Sequence, residues 1–189
     1  MNRLLARLAL AAALVPPLMQ GCVPVAVTTA GAAVVMANDR RSTGTYVDDE
    51  GIEWKVVGLM SENHAGAHVN ATSFNRRVLL TGEVPTEAMR AQVEKEVRGL
   101  PQVRDVVNEL QVAGASSMTS RGNDALITSN VKTRMVNNRA FSPNHVKVLT
   151  ENGVVYLMGL VKPSEGEAAV EVARTTSGVS RVVKVFEYM

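Results

Sequence analysis

An internal repeat constrains the fold of this chain more than any other feature of its sequence. The segments VNATSFNRRVLLTGEV, at 69–84, and VKVLTENGVVYLMGLV, at 146–161, align without a gap, so that Gly82 falls on Gly159. Each segment has two strand-like runs of apolar residues on either side of a turn, which predicts a β-hairpin. The chain is therefore expected to contain two copies of one small fold.

Helices and a third strand are predicted around each hairpin. Apolar residues at helical spacing precede the hairpins, over 52–60 in the first copy and 127–135 in the second. A second helix follows each hairpin, with Thr86 and Ser164 as predicted N-caps and Glu167 completing a capping box after Ser164. A valine-rich strand ends each copy. The repeated order αββαβ predicts an α+β fold, in which each copy is a three-stranded mixed sheet with two helices on one face.

The hairpin sequences add detail to this fold. Both turn positions of Asn152-Gly153 favour a positive φ, which predicts a two-residue turn. The first copy has Asn75-Arg76 instead, and a looser turn or a turn of another type is expected there. Residues 154–161 are apolar on both faces of the strand. The face away from the helices is therefore expected to be covered by the other copy.

The N-terminal residues have the layout of an export signal. Arg3 and Arg7 precede an uninterrupted apolar run at 8–15, and Pro16 follows it. Crossing a bilayer takes roughly 20 apolar residues, so this run is too short for a transmembrane anchor and favours a cleaved signal.

The predicted signal ends just before Cys22, the only cysteine of the chain. The stretch Met19-Gln20-Gly21-Cys22 resembles a bacterial lipobox, where the signal is cut before a cysteine that becomes diacylated; Met19 stands where Leu, Val or Ile is usual. The resemblance implies that Cys22 carries diacylglycerol and an N-acyl chain such as palmitate. In this pattern Asp after the cysteine retains a protein in the inner membrane, so Val23 implies the outer membrane.

The two copies differ in charge, which indicates the second copy as the one that meets an anionic surface. Residues 45–112 hold 7 basic and 11 acidic side chains, whereas residues 123–189 hold 8 basic and 6 acidic ones, and no acidic residue occurs at 125–150. After removal of the signal, the 20 basic residues less Arg3 and Arg7 balance the 18 acidic residues. No nucleic-acid partner is therefore expected.

The repeat and its motifs resemble a known domain family. Each copy carries the strand pattern V-x-L-x-G, as Val78-Leu80-Gly82 and Val155-Leu157-Gly159, and ends with a V-x-x-V strand. The glycine-valine pair common before that strand is present as Gly178-Val179, but Gln102-Val103 replaces it in the first copy. These features resemble the BON domain. Together with the lipobox, they resemble the dual BON-domain outer-membrane lipoproteins of Gram-negative bacteria, the division- and envelope-stress-associated phospholipid-binding lipoprotein family.

The resemblance implies a domain plan and a function. The expected plan is a signal peptide at 1–21, a lipidated N-terminus and flexible tether at 22–44, BON domain 1 at 45–112, a linker at 113–122 and BON domain 2 at 123–189. The family is associated with binding of anionic phospholipid such as phosphatidylglycerol, with envelope integrity and cell division, and with no enzymatic activity. A lipid-anchored outer-membrane protein that faces the periplasm is therefore expected, with no cofactor beyond the acyl chains on Cys22.

The first helix of the second copy is the predicted contact with phospholipid. Ile127, Val131 and Met135 share the face expected to pack on the sheet, whereas Leu126 and Val136 lie away from it, beside basic residues. Exposed apolar side chains next to Lys and Arg suit shallow insertion among acidic headgroups, and the family's lipid contact is attributed to this domain. The predicted phospholipid-binding residues are Leu126, Ile127, Asn130, Lys132, Thr133, Arg134, Val136 and Arg139.

Alternatives to this interpretation stay open at this point. In one alternative, Leu126 and Val136 pack against the first copy. In another, they are single exposed apolar residues, which are common on protein surfaces and have no function. A separate alternative is a non-enzymatic adaptor, in which the acidic BON domain 1 and the exposed helix faces bind envelope assembly proteins, with lipid only as the anchor. Trp54, the only tryptophan, is predicted to pack between the copies, with a place at the membrane interface as the alternative.

No catalytic or metal site is predicted. The sequence contains no G-x-S-x-G, P-loop or dinucleotide motif. His64 and His68 are four residues apart, but a predicted loop with Gly66 lies between them and argues against a shared metal site. His145 is interpreted as structural, and the acidic run at 48–50 as a cap or solvated entry to the first helix.

Overall fold

The computed structural model describes residues 39–64 and 66–189, so the predicted signal peptide, Cys22 and most of the predicted tether lie outside the described residues. The elements in chain order are α1 (Thr43–Asn63), β1 (His68–Phe74), β2 (Arg77–Val84), α2 (Glu87–Arg98), β3 (Asp105–Asn108), β4 (Gln111–Val112), α3 (Met118–Asn137), a 3-10 turn (Pro143–His145), β5 (Lys147–Glu151), β6 (Val154–Val161), α4 (Pro163–Arg174) and β7 (Arg181–Tyr188). Among these elements, no helix has a stretch both long and hydrophobic enough to span a membrane.

Each copy builds one mixed sheet around the second strand of its hairpin. Strand β2 pairs antiparallel with β1 and parallel with β3, and the short β4 pairs with the end of β2. Strand β6 pairs antiparallel with β5 and parallel with β7. The predicted α+β fold and the order αββαβ are confirmed in both copies, with β4 as an addition in the first.

A buried aspartate on the first helix of each copy holds the hairpin turn. Asp124 accepts hydrogen bonds from the two backbone N–H groups of Asn152-Gly153, at 2.9 and 2.8 Å. Asp49 accepts the equivalent bonds from Asn75-Arg76, at 2.8 and 2.7 Å. All four turn residues have a positive φ, between 49° and 74°. The same tight turn therefore closes both hairpins.

Two predictions about the first copy are corrected by this arrangement. The expectation of a different turn at Asn75-Arg76 is wrong, because Asp49 satisfies the turn N–H groups even with an arginine in the left-handed region. The interpretation of 48–50 as a solvated run is wrong for Asp49, which is buried and also accepts hydrogen bonds from Ser73 Oγ and Arg41 Nη1.

The aligned glycines lie where the chain entering the first hairpin strand crosses close to the second strand. A Cβ atom on Gly82 would lie 2.0 Å from the carbonyl oxygen of His68, and one on Gly159 would lie 2.2 Å from that of His145. Neither distance is compatible with a side chain, so the backbone approach itself requires glycine at both positions.

Helix ends follow the sequence prediction at one place and depart from it at another. Thr86 caps α2 as predicted, because its Oγ1 accepts a hydrogen bond from the backbone N–H three residues along, at 3.1 Å. The predicted capping box of Ser164 and Glu167 is wrong. Lys162 is the N-cap of α4, and the carboxylate of Glu165 accepts the Lys162 backbone N–H at 2.8 Å.

Two predicted connecting segments extend into helices. Helix α1 begins at Thr43 with Ser42 as its N-cap, so the C-terminal end of the predicted tether 22–44 is helical. Helix α3 begins at Met118, so the second half of the predicted linker 113–122 is helical too.

The two sheets pack face to face, with the helices of each copy on its outer side. One apolar cluster lies between the helices and sheet of the first copy, and a second lies between those of the second copy. A third cluster joins the sheets and contains Phe74, Leu79, Val154, Tyr156, Met158 and Val185. Burial raises the pKa of Tyr156 to about 12. The expectation that the second face of 154–161 is covered by the other copy is confirmed.

We predict that Gly159→Ala destabilises the fragment 39–189, which contains all three apolar clusters, by about 2–3 kcal/mol, because the new methyl group overlaps a backbone oxygen. Urea unfolding followed by circular dichroism measures the change. Gly122→Ala is the matched control, because Gly122 lies within α3 and a Cβ atom there meets nothing within 4 Å. It should raise stability by about 0.5–1 kcal/mol, and a loss of stability equal to that of Gly159→Ala would contradict the explanation.

Candidate functional site

Helix α3 packs one side on its sheet and leaves the other side in solvent. Ile127, Val131 and Met135 are buried in the core of the second copy. Leu126 and Val136 are 65 and 66 % exposed. The alternative in which these two side chains pack against the first copy is therefore excluded.

Seven of the eight predicted phospholipid-binding residues are exposed, six of them on α3 and Arg139 just after its C-terminal end. The exposed ones are Leu126, Asn130, Lys132, Thr133, Arg134, Val136 and Arg139, and we call them the α3 surface. Ile127 is the exception, because it is 3 % exposed and belongs to the core. Its inclusion among surface contacts is corrected.

The basic residues of the α3 surface are not neutralised by acidic neighbours. Arg134 donates to the carbonyl oxygen of Val172 and to the hydroxyl oxygens of Thr175 and Thr176, at 3.2, 2.9 and 2.7 Å, so its guanidinium is held against α4 by uncharged groups. Within the described part of the chain, Lys132 and Arg139 form no ion pair with a carboxylate. The α3 surface therefore keeps a positive charge beside its two exposed apolar side chains.

Lys147, the other basic residue in the acid-free segment, is positioned differently. Its Nζ lies 2.7 Å from Glu53 Oε1 on α1 and 3.2 Å from the carbonyl oxygen of Ser73. The first copy thus neutralises Lys147, and the positive charge of the segment is concentrated on α3.

A groove of about 500 Å³ borders the α3 surface. Its lining includes Lys132 and Val136 from α3 together with Tyr46 and Glu50 from α1. Its lining contains both apolar and charged side chains, so it can accept a group with both characters.

Arg41 also lines this groove. Its guanidinium lies 4.1 Å from the centre of the Phe74 ring, and it pairs with Asp39 and Asp49 at 2.6 and 2.7 Å. Burial alone would lower the pKa of Arg41, but the hydrogen bonds to these carboxylates outweigh it and raise that pKa. Arg41 is therefore committed to internal partners.

Trp54 lies on the outer side of α1, and the prediction that it packs between the copies is wrong. It is 73 % exposed, and Val47 and Val57 on the same helix are exposed as well. The apolar contact between the copies is made by residues of the two sheets, and Trp54 is not part of it. The molecule thus presents two exposed apolar helix faces, one on each copy.

The two histidines singled out by their spacing do not share a site. His64 Nε2 lies 2.7 Å from Glu96 Oε2, and His68 Nδ1 lies 2.8 Å from Glu83 Oε2. His68 is instead grouped with Glu83 and Glu151, which are distant in sequence. Sequence spacing offered no signal for that group.

The segment that precedes α1 is attached to the second copy. Arg40 donates two hydrogen bonds to the carboxylate of Glu165, at 2.6 and 2.8 Å, and a third to the carbonyl oxygen of Leu160. The hydrogen bonds from Arg40 lower the pKa of Glu165 to about 2. Residues 39–42 are thus fixed to the folded part rather than acting as tether.

Comparison with known proteins defines the family of the chain. The model of the BON domain matches residues 48–114 and again residues 123–189. The chain belongs to the BON domain family. The resemblance stated from the sequence is confirmed, and the first and second copies are BON domain 1 and BON domain 2.

Several curated proteins are similar over most of the chain. Outer membrane lipoprotein DolP of Haemophilus influenzae is 37 % identical over 174 residues, which cover 90 % of each chain. The 21 kDa hemolysin of Actinobacillus pleuropneumoniae is 34 % identical over 154 residues, or 80 % of this chain and 79 % of that one. Osmotically-inducible protein Y of Escherichia coli is 26 % identical over 160 residues, or 82 % of this chain and 80 % of that one.

Among solved structures, CdsD, a structural protein of the Type III secretion system of Chlamydia trachomatis, matches 75 % of this chain and 63 % of its own. The identity is 16 % and the TM-score is 0.31, which is too low to support any statement about this chain.

We predict that the Arg40–Glu165 pair makes the stability of the fragment 39–189 depend on pH in the acid range. The pKa of an unfolded glutamate is about 4.3, so the stabilisation by Glu165 is fully present above this value and is lost as the pH falls towards 2. Glu165→Gln should therefore be less stable than the parent by about 1 kcal/mol at pH 7 and equally stable near pH 2.

Urea unfolding of both fragments at several pH values measures this difference. Glu167→Gln is the matched control, because Glu167 lies on the same helix and is exposed. A stability gap between Glu165→Gln and the parent that stays constant from pH 7 to pH 2 would contradict the assignment.

Proposed function

We propose that the protein is an outer-membrane lipoprotein, anchored by acyl chains on Cys22 and facing the periplasm, whose BON domain 2 binds anionic phospholipid through the α3 surface. Its role is the maintenance of envelope integrity, without enzymatic activity. The name of the Haemophilus influenzae relative and the coverage of 90 % of both chains support the membrane and the anchor. The lipobox at residues 19–22 supports the same assignment.

The observation that carries the lipid proposal is the composition of the α3 surface. Leu126 and Val136 are exposed on α3, which also carries Lys132 and Arg134, and Arg139 follows just after its C-terminal end. These basic side chains have no acidic partner in the described part of the chain. Surface arginines of BON domain 1 are paired instead, for example Arg98 with Glu94 at 2.9 Å. The two domains share a fold but differ in the charge that they present to an anionic surface.

The expected energies describe a weak and reversible contact. Each basic side chain near an anionic bilayer contributes about 1 kcal/mol, and burial of an exposed Leu or Val contributes about 1.5–3 kcal/mol. Acylation of Cys22 would hold BON domain 2 close to the bilayer and raise the effective concentration of lipid, so a weak site is sufficient. The α3 surface would then set the orientation of the domain rather than its attachment.

Co-sedimentation of the fragment 39–189 with vesicles tests the lipid proposal without the acyl anchor. We expect binding to vesicles of phosphatidylethanolamine and phosphatidylglycerol, and little binding to phosphatidylethanolamine and phosphatidylcholine. Leu126→Glu should weaken binding about tenfold or more, because it places a negative charge at the proposed insertion point.

Trp54→Glu is the matched control for this variant, because it places the same charge on an exposed apolar position of the first helix of BON domain 1. It should leave vesicle binding within about twofold of the parent. Equal binding to both kinds of vesicle would remove the lipid proposal. A larger effect of Trp54→Glu than of Leu126→Glu would assign the contact to BON domain 1.

A further inference from the structure

A histidine and two glutamates from different domains meet at the edge of the interface between the two sheets. His68 begins β1 and Glu83 lies near the end of β2, whereas Glu151 ends β5 of BON domain 2. One ligand atom from each side chain lies within 4.8 Å of the other two. Glu83 and Glu151 are 3 and 6 % exposed. Three metal-ligating side chains are thus gathered, the two carboxylates buried and the imidazole partly exposed.

Hydrogen bonds across the domains orient both carboxylates. Asn152 of BON domain 2 donates to Glu83 Oε1 at 2.7 Å, and Asn70 of BON domain 1 donates to Glu151 Oε2 at 2.9 Å. Thr81 adds a longer bond to the same Glu151 oxygen, at 3.4 Å. Such outer partners fix the direction of carboxylates that ligate a metal.

No lysine or arginine of the described residues pairs with the carboxylates of this cluster. His68 Nδ1 lies 2.8 Å from Glu83 Oε2 and forms the contact of Glu83 with another member of the cluster. Two buried carboxylates side by side repel each other unless a cation lies between them.

The set of ligating atoms indicates the kind of cation. One imidazole nitrogen with carboxylate oxygens is a donor set that suits Zn²⁺ and related transition-metal ions, whereas Ca²⁺ and Mg²⁺ take oxygen ligands only. Zn²⁺ binds such atoms at about 2.0–2.2 Å, which brings the ligands to about 3.4 Å from one another. The present spacing of up to 4.8 Å exceeds this by at most about 1.4 Å, which rotation of the glutamate side chains would close, and a water molecule would complete four ligands.

We propose that His68, Glu83 and Glu151 bind one Zn²⁺ ion that bridges BON domain 1 and BON domain 2. The ion takes the place of the proton that His68 and Glu83 share, and it also binds the carboxylate of Glu151 from BON domain 2. It therefore stabilises the packed arrangement of the two domains, and this role is independent of lipid binding by the α3 surface.

Zinc binding to the full-length chain, purified in detergent and freed of metal with EDTA, tests the proposal. We expect saturable binding of one Zn²⁺ per chain by titration calorimetry. The melting temperature, followed by circular dichroism, should rise by about 5 °C at a zinc concentration about 100-fold above the Kd. Ca²⁺ and Mg²⁺ at equal concentrations should leave the melting temperature within about 1 °C of its metal-free value.

Variants from both domains test the bridge. Glu151→Gln and His68→Gln should each weaken zinc binding at least tenfold and remove the rise in melting temperature. Glu96→Gln is the matched control, because it removes the carboxylate charge from a different His–Glu pair, His64–Glu96, and it should bind zinc like the parent.

Three results would overturn the proposal. One is the absence of saturable zinc binding by the parent chain, which does not depend on whether the variants fold. Another is equal zinc affinity of the parent and Glu151→Gln, which would indicate adventitious binding. The third is a rise in melting temperature with Ca²⁺ or Mg²⁺ as large as with Zn²⁺.

Discussion

The packing of one sheet against the other is the interaction on which the rest of the structure depends. Leu79 and Phe74 of BON domain 1 meet Tyr156 and Met158 of BON domain 2 in a cluster that excludes water from both inner sheet faces. Polar contacts surround this cluster, such as that between Lys147 and Glu53. Because the sheets cover each other, the helices are directed outwards, and their exposed faces become the surfaces that another molecule can reach.

The same arrangement explains how two copies of one fold acquire different surfaces. In each copy the first helix buries an aspartate under the hairpin turn and presents its opposite side to solvent. On α1 the exposed side carries Trp54, and its neighbour Glu53 is occupied by Lys147 across the interface. On α3 the exposed side carries Leu126, and the same helix carries the basic residues Lys132 and Arg134, which have no acidic partner in the described part of the chain. The two copies thus share a fold but differ in the side chains that their first helices expose.

Much of the fold could be predicted from the sequence, because the repeat doubles every local signal. The apolar residues on both faces of 154–161 indicate a sheet that is covered on both sides, as the structure shows. The repeat alignment pairs Gly82 with Gly159, but the close backbone approach that requires glycine there is seen only in the structure. Contacts between distant residues could not be predicted in this way. Helical spacing shows which residues share one side of a helix, but it does not show what covers that side. The position of Trp54 off the core side of α1 therefore left its surroundings undetermined, and the prediction that it packs between the copies is wrong. Asp49 caps a turn about 26 residues later, and the His68 cluster combines three separate strands.

Lipid-induced amide chemical-shift changes test two features together, the contact between the inner sheet faces and the outward orientation of α3. The fragment 39–189 is titrated with phosphatidylglycerol in bilayer discs, and the backbone amide resonances are followed. We expect changes concentrated on α3, around Leu126 and Val136, with the amide resonances of Leu79 and Tyr156 unchanged. Large changes on β2 and β6 would show that lipid separates the sheets, and changes confined to α1 would assign the contact to BON domain 1; either result would contradict lipid binding by α3 of an intact two-domain structure.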